Sequence, residues 1–122
     1  MPLIKMPTRR QQRVGELIHQ EISGLLQRRM GDPRLAYVTV LDVVVSPDLK
    51  QAKVLVSALG ERESRESALD GLKHASGYIR RELSHSLPLR ITPELSFVLD
   101  DSWQRLAHID ELLEQVKRDG SD

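Results

Sequence analysis

Apolar residues recur along this chain with two different periods, and the switches between them divide it into elements. From Thr8, a plausible helix cap, Val14, Leu17, Ile18, Ile22, Leu25 and Leu26 return every three or four residues. That spacing predicts a long amphipathic helix ending near Met30 and Gly31. Residues 1–7 hold two prolines and no period, and read as a flexible arm. Asp32-Pro33 forces a turn, because the residue before proline is pushed out of the helical region. The period then shortens. Tyr37 to Val45 is β-branched and apolar on both parities apart from Thr39 and Asp42, which predicts a strand covered on much of both faces. Ser46-Pro47-Asp48 is turn chemistry. In a second strand, about Gln51 to Leu59, Ala52, Val54, Val56 and Ala58 alternate with polar residues, so the two strands form a hairpin with one face on the core.

The helical period returns from about Ser64 to Ser86. Leu72, Ala75, Ile79, Leu83 and Leu87 share one face; Lys73, Gly77, Arg80, Arg81 and Ser84 share the opposite one. Two arguments conflict at Ala75-Ser76-Gly77. The apolar stripe keeps phase across it, which favours one helix; a glycine costing about 1 kcal/mol relative to alanine permits a break. Pro88 ends the pattern. After Pro93, Leu95, Phe97 and Leu99 alternate as a third strand, reached by a connection long enough for a parallel crossover. Asp101 with Gln104 resembles a capping box opening a last helix bearing Leu106, Ile109, Leu113 and Val116. The sequence thus predicts an α+β domain over residues 8–118, with helices on one face of a three-stranded mixed sheet, and a short tail, 119–122.

Composition narrows what such a domain does. The chain has 122 residues and no cysteine, which excludes disulfides, thiolate metal sites and a cysteine nucleophile. No stretch reads as a signal peptide or membrane span, so a cytoplasmic location is expected. Charges balance at eighteen basic and eighteen acidic, yet the ends are polarised: seven basic and three acidic through Arg34, three basic and eight acidic from Glu94 onward. A neutral chain can therefore still carry a positive patch. Tyr37, Tyr78, Phe97 and Trp103 are the only aromatics, which argues against a sheet of stacked aromatics for RNA or a single-strand stacking groove.

Candidate chemistry is sparse. The four histidines, His19, His74, His85 and His108, lack metal-ligand spacing and read as surface residues. Asp100 and Asp101 point to different sides of a strand end. No phosphate loop, nucleophile elbow or cofactor fingerprint is present, so neither an enzyme nor a cofactor is expected. The remaining signal is the basic cluster around Gly77. A break there would expose backbone N–H groups at the start of a following helix, beside Arg80 and Arg81, and favour phosphate.

These segments resemble a known family. RVGELIHQEISGLL, DPRL, VTVLDVVVSPDLKQAKVLVS, ASGYIRREL, LPLRITPELSFVLDDS and HIDELL, in this order and over nearly the whole chain, look like ribosome-binding factor A, with the helix-strand-strand-helix-helix-strand order of a type II KH domain. The resemblance implies a monomeric, non-catalytic assembly factor that binds the small (30S) ribosomal subunit or its precursors through 16S rRNA. It also implies help in late maturation and rRNA processing, with a link to growth in the cold, and no membrane or small-molecule substrate. In place of the KH GXXG loop the family carries an Ala-X-Gly kink, matched by Ala75, Ser76 and Gly77, which divides the second helix in two. Lys73, Arg80, Arg81 and Arg90 become candidate RNA contacts with those three residues; Arg9, Arg10, Arg13 and Arg34 join them. The family often has a longer tail than this chain's. A competing reading is a protein-interaction module using the apolar and acidic last helix; an RNA-processing enzyme finds no constellation to support it.

Overall fold

The computed structural model describes residues 6–28 and 31–100. The last helix, the tail and most of the N-terminal arm, all expected from sequence, lie outside the described residues. The first helix, α1, spans Arg9–Gln27 and is closed at its start by a capping box. Thr8 accepts from the Gln11 N–H, and the Gln11 side chain accepts from the Thr8 N–H at 2.8 Å. Such reciprocal pairing satisfies two donors that a helix start leaves open. A 3-10 turn, Pro33–Leu35, leads into β1 (Val38–Val45) and β2 (Gln51–Ala58). Helix α2 spans Arg62–Ser86 and β3 spans Glu94–Leu99.

β2 is central, antiparallel to β1 and parallel to β3, so the expected mixed sheet is present. α1 lies over β1 and α2 over β3, on the same face. Ile18 and Ile22 from α1, Leu72, Ile79 and Leu83 from α2, and Val54 and Val56 from β2 meet there with no exposed surface. Both predicted alternations, in β2 and β3, hold: Ala52, Val54, Val56 and Phe97 are buried while Lys53, Ser96 and Val98 are exposed.

Two expectations are corrected. β1 is covered on one face only, with Val44 58% and Leu41 42% exposed. Its apolar residues fall on both parities because the register slips between Val40 and Asp42, making Leu41 an extra residue. Val40 faces the core before this bulge, Val43 and Val45 after it. One added residue flips the side-chain phase, so a one-sided strand reads as two-sided. Second, α2 is a single 25-residue helix that runs unbroken through Ala75-Ser76-Gly77, so the division into two helices is not found. Gly77 keeps a helical backbone; the described glycines with positive φ are Gly31 and Gly60. The stripe of Leu72, Ile79 and Leu83 holds both halves of the helix on one core, and a glycine penalty of about 1 kcal/mol is small against that burial.

The topology decides which ends meet. α1 runs antiparallel to β1, with Gln11 beside Val45 and His19 beside Val40. α2 carries the chain from the end of β2 back to the start of β3, hence opposite to both. The start of α1 and the end of α2 therefore lie at the same end of the sheet, near the β1–β2 turn.

Candidate nucleic-acid interface

The wet face of α2 is the strongest candidate. Lys73, His74, Gly77, Tyr78, Arg80, Arg81, Ser84 and His85 are all exposed, three or four residues apart, as neighbours on one helix face must be. Among the described residues no ion pair engages Lys73, Arg80, Arg81 or Arg90; those present join Arg28 to Glu21, Arg34 to Asp32, and Arg62 to Glu66. Arg80 donates from Nη2 to the Thr92 carbonyl at 3.1 Å, which ties the helix to the loop carrying the exposed Arg90. Ser76 and Ser84 spend their hydroxyls on the carbonyls of Lys73 and Arg81.

Gly77 sits in the middle of this face. A Cβ built there would meet nothing within 4 Å, so neither packing nor backbone conformation requires glycine. What glycine does provide is a low, smooth stretch of helix surface between cationic side chains. Gly77→Ala is expected to raise stability by about 0.5–1 kcal/mol in chemical denaturation. The unbroken helix removes one expected attraction for phosphate, because no second helix begins here and no free N–H groups are presented.

The other sequence-predicted residues separate into groups. Ala75 is half-buried against the core and does not share the exposed face; Ser76 is half-buried at its edge. Arg9, Arg10 and Arg13 are exposed on the first turns of α1, at the end of the domain where α2 finishes. Arg34 is engaged elsewhere. Its Nε lies 3.0 Å from both Asp32 oxygens and its Nη2 2.7 Å from Oδ2, while Asp32 also accepts from the Arg34 N–H. This clasp closes the 3-10 turn onto α2 at Gly71, where a Cβ would come within 3.1 Å of Leu35 and 3.2 Å of Asp32. Arg34 is thus largely neutralised, and a count of basic residues overstates the patch there.

The side-chain hydrogen bonds from Arg34, followed by that from its backbone N–H, hold the Asp32 carboxyl below its ordinary value. A depressed folded-state pKa contributes stability above the unfolded value, about 4, and loses it as pH falls through the folded one. Asp32→Asn should therefore be less stable than the parent at pH 7, with the difference closing below about pH 4 in urea titrations.

Sequence reasoning did not single out Gln11, which donates to the Val45 carbonyl at 2.9 Å, and it read His19 as a surface residue, whereas His19 is half-buried and its Nε2 donates to the Val40 carbonyl at 3.1 Å. The capping-box spacing from Thr8 to Gln11 was a legible signal for the first; nothing local marks the second.

Among the described residues no group of three or more His, Asp or Glu is placed to hold a metal ion, and no helix is long and apolar enough to cross a membrane. Fold and face together define a class: a small α+β domain presenting a cationic helix face without ion pairs among the described residues. The model of the family described as ribosome-binding factor A matches residues 10–113, and the chain belongs to that family. Ribosome-binding factor A of Halothermothrix orenii is 42% identical over 93% of this chain and 93% of its own length. That of Thermomicrobium roseum is 43% identical over 93% and 88%. Among solved structures, the crystal structure of ribosome-binding factor A from Thermus thermophilus covers 73% of this chain and 94% of its own, with a TM-score of 0.65 at 27% identity. A Thermus thermophilus homology model fitted into the cryo-EM map of a 30S-RbfA complex reaches 0.60 at 28% identity, covering 71% of this chain and 91% of that one.

Proposed function

We propose that this chain binds the small (30S) ribosomal subunit or its precursor through 16S rRNA and assists late maturation and 16S rRNA processing, without catalysing a reaction. It acts as a cytoplasmic monomer whose fold is of the type II KH kind, with a role in growth in the cold. The observation that carries this reading is the face of α2 from Lys73 to Arg81, where the cations have no carboxylate partner among the described residues and Gly77 leaves the helix backbone open. An uncompensated cationic face attracts a polyanion and is satisfied by phosphate. Membership in the ribosome-binding factor A family supports the ribosome as the source of that polyanion, since a homology model of a relative was fitted into the cryo-EM map of a 30S-RbfA complex. Lys73, Gly77, Arg80, Arg81 and Arg90 form the contact, with Ser76 at its border and Arg9, Arg10 and Arg13 extending it along α1.

Co-sedimentation with free small subunits across a salt series tests the reading. Binding should be present at low salt and fall steeply as salt rises. Binding that survives high salt but disappears when Leu113 and Val116 are made polar would replace it with the protein-interaction reading.

A further inference from the structure

We infer that Tyr78 is a stacking platform for one unpaired base, so that the α2 face prefers single-stranded RNA to duplex; this rests on the RNA-binding reading above. A lone exposed aromatic is ordinary on a protein surface. Tyr78 differs in its setting. It is 47% exposed, whereas its neighbour Ile79 has no exposed surface, and it lies outside the core cluster. Its hydroxyl makes no hydrogen bond and its ring no contact with another ring among the described residues. Among the described residues it is the one aromatic on the cationic face.

Helix spacing fixes its neighbours. His74 is one turn before it and Arg81 three residues after, so the ring borders the cations on one flank. On the other flank is Glu82, four residues on, half-buried and in no ion pair among the described residues. A carboxylate disfavours phosphate on that flank and leaves the Gly77–Arg81 side as the place for it. A strand whose backbone passes over Gly77 and Arg81 then presents a base to Tyr78. Every base has a π face, so such stacking is tolerant of sequence, but it requires a base free of its own stack. In an A-form duplex the bases are stacked on one another and only their edges face the grooves.

The test compares a labelled oligo-uridine strand with a perfectly paired RNA hairpin in anisotropy titrations of the full chain. Tyr78→Ala should weaken binding to the single strand roughly 10-fold, leave hairpin binding unchanged, and leave the salt slope intact. Tyr78→Phe should bind like the parent, since the ring rather than the hydroxyl stacks. Upfield shifts of the Tyr78 ring protons on adding oligo-uridine should accompany binding. Equal losses on both RNAs, or no loss on the strand while Arg81→Glu weakens it, would overturn stacking and keep the cationic face. If Arg81→Glu also changed nothing, both this inference and the RNA-binding reading would fall.

Discussion

Reversing the charge of both Arg80 and Arg81 is expected to weaken binding to the small subunit roughly 100-fold at moderate salt, if each arginine contributes about 1.5 kcal/mol through a charged hydrogen bond. The salt slope should flatten by about 0.9 for each phosphate that is no longer neutralised. The double variant should still fold, because both side chains are exposed and in no ion pair among the described residues, where Arg80 gives up its bond to the Thr92 carbonyl. Arg62→Glu is the matched control. It changes an exposed arginine at the opposite end of the same helix, one paired with Glu66 at 3.1 Å, and should leave binding as it was. Sedimentation with free subunits, checked by thermal melts of each variant, decides the matter. A double reversal that melts normally and binds normally would remove the α2 face from the interface.

How much of this was legible in the sequence depends on whether a demand is local. α1, α2, β2 and β3 each keep one side-chain phase against one core, so period alone located them. β1 does not, because Leu41 inserts a residue and reverses the phase mid-strand. A hint was present in Asp42, whose carboxylate accepts from the Val43 N–H at 2.8 Å just after the bulge. The exposed face of α2 was legible for the same reason as its buried one: Lys73, Gly77, Arg80, Arg81 and Ser84 occupy the complement of the apolar stripe. The expected break came from family resemblance, whereas the residues themselves allowed either form. Continuous phase from Leu72 to Leu83 was the better guide to helix continuity. Arg34 adds less to the positive patch than a count of charges suggests, because it is paired with Asp32, two residues earlier.

Gly15 was invisible to any local rule, since what requires it lies 28 residues away. A Cβ built there would stand 2.9 Å from the Val43 carbonyl oxygen, and that oxygen is backbone in a strand. Gln11 and His19, four residues to either side, donate to the carbonyls of Val45 and Val40. One face of α1 therefore lies along the outer edge of β1, using two side chains as donors and a bare backbone for the closest approach. An edge strand left open is a template for pairing with other chains, and α1 covers this one. Gly15→Val should destabilise the fold by about 3 kcal/mol, the upper part of the range for overpacking, because moving α1 outward also strains both flanking hydrogen bonds. Gly15→Ala should be smaller in cost, as the gain of about 1 kcal/mol in helix propensity opposes the clash. The same glycine-to-alanine change thus carries opposite expectations at two positions in two helices: destabilising or near neutral at Gly15, stabilising at Gly77. Urea denaturation of the two variants side by side measures the contrast. If Gly15→Ala gained as much stability as Gly77→Ala, α1 would not be held against the strand edge at this distance, and the closeness of helix and carbonyl would have no energetic consequence.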